Sequence, residues 1–225
     1  MRIEKSIMSM NVFTAVLDVF FPPRCVFCHE LLPLRREGEV CPRCQKSLER
    51  FRGEEKAEFV ERVVAPFRYK DAVRDSIHRY KFGGREFYAK TYAQYMAEAL
   101  RDAHAEFDLL SYVPLHPRRK RSRGYDQAQL LAEELGKLLD AEPKPLLRKT
   151  RNVSPQSGIS DAARRRANIS GCYELLPGAE VAEKRILLVD DVFTSGATLS
   201  ECARMLLMAE AEEVSAVTVA TAHKG

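Results

Sequence analysis

The sequence predicts an α/β fold, a mostly parallel sheet flanked by helices, with a small separate module at the N-terminus. Two observations predict the sheet. From Val63 onward, short β-like runs alternate with stretches whose apolar residues recur at the 3.6-residue helical period. The run Ile186, Leu187, Leu188, Val189 also reads as a buried strand. A third observation predicts the module: Cys25, Cys28, Cys41 and Cys44 are confined to a segment too short to bury a core.

A chain of 225 residues has room for one sizeable core and one small module. With 45% hydrophobic and 30% charged residues, and only 11 Gly and 11 Pro, it is neither collagen-like, low-complexity nor wholly disordered. No apolar run reaches the roughly 18 to 20 residues of a membrane span. The stretch from Ile7 to Phe21 is interrupted by Asn11, Thr14 and Asp18, and it ends at Pro22 and Pro23 without a small-residue cleavage site. It reads as an amphipathic helix and not as a signal peptide, which predicts a cytoplasmic protein.

The first module, residues 1–60, holds that helix and two C-x2-C knuckles separated by 12 residues. Two residues between thiolates let both sulfurs of a knuckle face one ion. Two knuckles complete a tetrahedral zinc site with no open position for chemistry, so the role is structural. Two disulfides, or a redox-active C-x-x-C, are the alternatives; His29 could replace one thiolate. Phe51 to Glu61, rich in Glu, Lys and Arg, reads as a linker, and residues 61–225 form the second domain.

In that domain Val63 to Tyr69 is β-like, and Ala89, Tyr92, Ala93, Met96, Ala99 and Leu100 share one helical face. Leu109 to Leu115 is a short strand ended by Pro114 and Pro117. The loop His116 to Gln127 leads to a helix marked by Ala128, Leu131, Ala132, Leu135, Leu138 and Leu139. Pro145 to Leu147 is a candidate short strand, and Asn152 to Gly171 is a long polar loop of the kind that acts as a lid. Strand Arg185 to Val189, a helix marked by Leu199, Cys202, Ala203, Leu206 and Leu207, and strand Val214 to Ala220 complete the domain. Cys172 and Cys202 read as core or surface thiols. Positive charge is local: the runs Arg118 to Arg123, Arg148 to Arg151 and Arg164 to Arg166 supply 11 of the 36 Lys and Arg residues.

The chemistry lies at one strand end. After Ile186 to Val189 come Asp190 and Asp191, then Thr194, Ser195, Gly196, Ala197 and Thr198 opening the next helix. Amides at a helix N-terminus with flanking hydroxyls bind a phosphate dianion, whereas the acidic pair suits sugar hydroxyls or a magnesium-bound sugar. An ATPase strand would need G-x-x-x-x-G-K-[ST], which the chain lacks, and a plain capped turn calls for no carboxylate pair.

Val189 to Thr198 resembles the phosphoribosyl pyrophosphate (PRPP) signature of type I phosphoribosyltransferases. Together with the cysteine knuckles, Val113-Pro114-Leu115-His116-Pro117, Arg123-Gly124-Tyr125-Asp126-Gln127 and Gln156 to Arg164, it makes nearly the whole chain similar to the ComF family. The resemblance implies that Asp190 and Asp191 contact the ribose hydroxyls and that Thr194, Ser195, Gly196, Ala197 and Thr198 hold the 5′-phosphate. Arg118, Arg119, Arg121, Arg123 and Gly124 fall where the family's pyrophosphate loop lies, and Asn152 to Gly171 where its mobile loop lies. The implied reaction is magnesium-dependent displacement of pyrophosphate from C1 by a nitrogen nucleophile, with Asp190, Asp191, Asp161 and His116 as candidate bases. The acceptor and the oligomeric state are not identified. The family name implies a role in DNA uptake during natural transformation, alongside DNA-uptake proteins. A second reading makes the chain a non-catalytic PRPP or nucleotide sensor, or a single-stranded-DNA-binding accessory factor carrying DNA on its basic loops.

Overall fold

The computed structural model describes residues 22–33, 38–152 and 169–222. The expected N-terminal helix and the segment Gln156 to Arg164 lie outside them. The chain divides into two compact units, Met1–Ser47 and Leu48–Gly225. In the first, the Cys25 carbonyl accepts from the His29 amide at 2.9 Å, closing a tight turn, and α1 (Pro42–Ser47) carries the second knuckle.

The boundary at 60/61 moves to 47/48. The expected linker is partly strand: β1 (Glu54–Ala57) pairs antiparallel with β2 (Val60–Val64), and the Phe51 amide donates to the Pro66 carbonyl. Charge density hid this because one carboxylate of the stretch turns inward. The buried side chain of Glu55 meets the Arg68 guanidinium at 3.1 Å and accepts from the Thr221 hydroxyl at 3.2 Å.

The main sheet continues from β1 and β2 to β8 (Glu213–Thr221), β7 (Arg185–Phe193) and β4 (Leu109–Tyr112) in that order, with β3 (Phe67–Arg68) also paired to β8. Strands β7 and β8 are its centre, and every pairing except β1–β2 is parallel. Successive strand residues face opposite sides. Ile186 and Leu188 of β7 and Val214 and Ala216 of β8 therefore share one core with Leu199, Cys202 and Leu206 of α6 (Ala197–Leu207). Leu187, Val189 and Val217 are buried on the other side, where α3 (Tyr88–Asp102) and α5 (Gln127–Leu139) pack together and against β8 and β7. Helix α5 is capped by Asp126, whose carboxylate accepts from the Gln129 amide at 3.3 Å.

Three further features depart from the sequence reading. Helix α2 (Asp71–Phe82) was not anticipated, although Val73, Ile77 and Tyr80 are buried at helical spacing. The loop after β4 contains α4 (Pro117–Arg123), begun by Pro117 and by His116, whose Nδ1 accepts from the Arg118 amide at 3.2 Å. Finally, β5 (Leu147–Lys149) and β6 (Tyr173–Leu175) form a separate two-stranded sheet. The end of α2 is fixed by Tyr80, which is fully buried and edge-on to Tyr92; its hydroxyl donates to the Gln127 carbonyl at 2.8 Å, and its carbonyl accepts from Tyr125.

Gly136 sits inside α5, where alanine is ordinarily better by about 1 kcal/mol. A Cβ there would lie 2.2 Å from the Ala141 carbonyl oxygen, a backbone atom that cannot step aside. Gly136→Ala is expected to lower stability by about 1–3 kcal/mol in urea denaturation, the clash outweighing propensity.

Candidate functional site

Strand β4 stops at Tyr112, opposite Val189, whereas β7 continues to Phe193 on β8 alone. One edge of β7 is therefore bare from Asp190 onward, and a cavity of about 340 Å³ opens there. The acidic pair lies within the strand and not past its end: Asp190 is in register with Thr218 and Val192 with Ala220.

Strand alternation separates the two carboxylates. Asp191 follows Leu187 and Val189 to the side of α2, where its Oδ1 pairs with Lys81 Nζ at 2.7 Å. Asp190 follows Ile186 and Leu188 to the side of Cys202 and Lys149, and its Oδ1 accepts from the Asp191 amide at 2.8 Å. Burial, then the charge of Asp191, pushes the Asp190 carboxyl up to about 7. Burial works against the Lys81 ammonium, but Asp191 more than restores it and raises its affinity for the proton.

Thr194 and Thr198 also line the cavity, at the turn that opens α6. Gly196 takes φ 72° there, and a Cβ on it would lie 2.9 Å from Ala57 Cβ and 3.0 Å from the Phe193 ring. Only glycine makes this turn without strain. It leaves Ser195 and Ala197 in the turn beside a helix start with amides and hydroxyls suited to an anion.

Of the basic residues singled out, Arg119 and Arg123 reach the cavity; Arg118 and Arg121 are exposed and do not line it. Gly124, at φ 88°, terminates α4. Arg119 Nε donates to Asn152 Oδ1 at 3.1 Å, and Arg123 donates to Gln127 Oε1 at 2.7 Å while lying 4.8 Å over the exposed Phe82 ring. His116 caps α4 and is not part of the cavity wall; Asp161 lies outside the described residues. Three wall residues were not anticipated. Lys81 follows from the missed α2, and Lys149 and Tyr173 from β5 and β6, where Leu147, Arg148 and Lys149 alternate buried, exposed and half-buried.

The four N-terminal cysteine sulfurs lie within 4.8 Å of one another and form no disulfide. Cys28 and Cys41 sulfurs are 3.6 Å apart, close to the ~3.8 Å edge of a tetrahedron with Zn–S bonds of about 2.3 Å and far from the ~2.05 Å of a disulfide. The donor set fits structural zinc, and His29 is not part of it.

Residues 16–56 match the model of a double zinc ribbon domain, and residues 122–225 that of a phosphoribosyl transferase domain. Competence protein F of Haemophilus influenzae is 29% identical over 220 residues, covering 87% of this chain and 95% of its own. Competence protein ComFC of Streptococcus pneumoniae is 30% identical over 151 residues, 67% of this chain and 64% of its own. DNA utilization protein YhgH of Escherichia coli K12 is 29% identical over 185 residues, 77% of this chain and 80% of its own.

Removing zinc with a chelator, or changing Cys44→Ser, is expected to unfold the first unit, read as lost metal by atomic absorption together with lost amide protection over residues 22–33 and 38–47. Asp190 binds its proton more tightly folded than unfolded. Its share of stability is thus complete below about pH 4 and is lost as pH rises to about 7. Asp190→Asn is expected to raise the melting temperature of the ligand-free protein at about pH 8 and to leave it unchanged near pH 4.

Proposed function

The chain belongs to the ComF family, a zinc ribbon joined to a phosphoribosyltransferase domain, and on that premise we propose that it binds PRPP and transfers its phosphoribosyl group to a nitrogen acceptor. The observation that carries the reading is Asp190 and Asp191 on the bare edge of β7 in one cavity with the hydroxyl turn that opens α6. The 5′-phosphate is taken by the amides and hydroxyls of Thr194 to Thr198, where the helix dipole favours a dianion. The ribose 2′ and 3′ hydroxyls donate to the acidic pair, with Lys81 holding Asp191 in place at 2.7 Å. Arg119 and Arg123 face the diphosphate. As the C1–O bond breaks, its electron pair leaves with the diphosphate, the acceptor nitrogen bonds to C1, and the nitrogen's proton passes to solvent.

Magnesium fits this donor set: Asp190 offers carboxylate oxygen engaged only by a backbone amide among the described residues, the hard-oxygen chemistry such an ion selects. When bound, it would draw charge from the diphosphate oxygens. Like its relatives Competence protein F and DNA utilization protein YhgH, the chain serves competence or DNA utilization. A second reading, single-stranded DNA binding, is favoured by Phe82, which is 62% exposed beneath Arg123 and offers a face on which a base could stack.

Calorimetric titration with PRPP is expected to give magnesium-dependent binding that Asp190→Asn with Asp191→Asn abolishes, with fold and zinc content kept. Binding that survives both changes would reject the assignment. Pyrophosphate release against a panel of bases and amines then tests transfer, and binding without release would leave a sensor.

A further inference from the structure

Lys149 is a half-buried cation that the proposed reading does not use. It closes β5, facing the cavity, while its neighbour Arg148 is exposed and pairs with Glu174. Lys149 Nζ donates to the Tyr173 hydroxyl at 2.8 Å and lies 4.8 Å from the centroid of that ring, a neutral partner on β6. Among the described residues no carboxylate lies within ion-pair distance of it, in contrast to Lys81, which Asp191 neutralises at 2.7 Å. The groups facing it are Arg119 from α4, Asp190 from β7, Cys202 from α6 and Cys172 beside β6. Burial, and then the charge of Arg119, push the Lys149 ammonium down. Burial and the charge of Arg123 do the same to Arg119.

Three cations from two separated segments thus line one cavity, where the charge of Arg119 disfavours the Lys149 ammonium and that of Arg123 disfavours the Arg119 guanidinium. Such an arrangement is costly when empty and is relieved by an anion carrying several charges. The Tyr173 hydroxyl fixes the direction of the ammonium without neutralising it. The wall is independent of the turn at Thr194 to Thr198, so a ligand bridging both carries two anionic groups.

We propose that Lys149 is a diphosphate-binding residue, which with Arg119 and Arg123 holds the diphosphate of the sugar ligand and stays in contact with it as the C1–O bond breaks. Lys149 keeps its proton throughout, and the electron pair goes to the departing oxygen. The sugar part of this assignment rests on the reading above; the anion site needs only the three cations.

The test titrates inorganic pyrophosphate and ribose 5-phosphate separately into the zinc-loaded full chain and into Lys149→Gln and Lys149→Arg, with circular dichroism and zinc content confirming the fold. Lys149→Gln is expected to weaken pyrophosphate about tenfold or more while leaving ribose 5-phosphate unchanged, and Lys149→Arg to restore much of the loss. Parent pyrophosphate affinity is expected to fall with rising pH more steeply than that of Lys149→Gln, a difference that a purely structural lysine would not produce. Unchanged pyrophosphate binding in Lys149→Gln, or equal loss of both ligands, overturns the proposal even where the parent binds PRPP. Parent binding of pyrophosphate but not of ribose 5-phosphate would instead reject the sugar reading and keep the anion site; a parent that binds neither rejects both.

Discussion

The site depends on the ion pair between Lys81 and Asp191, 2.7 Å apart and both largely screened from water. Two adjacent carboxylates at a half-buried strand edge cannot both ionise freely. Pairing one with a lysine from α2 makes the two unequal: Asp191 has a cation at 2.7 Å, whereas Asp190, buried beside it, is pushed up to about 7. The lysine reaches its place because Tyr80, the residue before it, is tied to the Gln127 carbonyl and packed against Tyr92. The tyrosine cluster in the core is thus the mechanical support of an electrostatic device at the surface. A change in that cluster would act on the acidic pair through the position of Lys81, without touching a ligand.

The strand period distributes the remaining charges. Because β7 alternates, its two acids meet different elements, Asp191 the helix α2 and Asp190 the hairpin β5–β6 with α6. Both still open onto one cavity because β4 ends at Tyr112 and leaves that edge uncovered. A longer β4 would satisfy the edge and fill the space. The early end of β4 is written in the sequence as Pro114, which cannot donate to a ladder, and Pro117, which starts α4.

That proline signal is one reason much of the layout was legible. Apolar periodicity located α3, α5, α6, β7 and β8, and cysteine spacing located the metal cluster. What failed has a common cause: elements whose stabilising contacts are polar or distant. Helix α2 carries Arg74, Asp75, His78 and Arg79 between Val73, Ile77 and Tyr80, so its mean hydropathy hides its stripe. Strand β1 reads as a charged linker because its inward residue is Glu55. With α2 unread, Lys81 could not be placed, and Lys149 was one cation in a basic run until the pairing of β5 with β6 turned it inward. The arginines of α4 show the reverse limit: their spacing alone did not tell Arg119 and Arg123, on the cavity, from Arg118 and Arg121, on solvent.

The contrast between Glu55 and Lys149 shows which charged groups the fold requires and which it tolerates. Glu55 is buried with a guanidinium at 3.1 Å and a hydroxyl at 3.2 Å, an arrangement complete within the chain and suited to securing the β1 edge. Lys149 has a phenol for a partner and a second cation for a neighbour. Asp190 has a backbone amide and a second acid. Folding alone favours replacing both with neutral residues, since each charged form is disfavoured by burial and by a like charge. Groups that lower stability yet share one cavity are those a ligand would complete, a cation and hydroxyls at Asp190, an anion at Lys149. The opposite signs of the two defects favour a ligand that itself carries separated charge and hydroxyl groups over a simple phosphate.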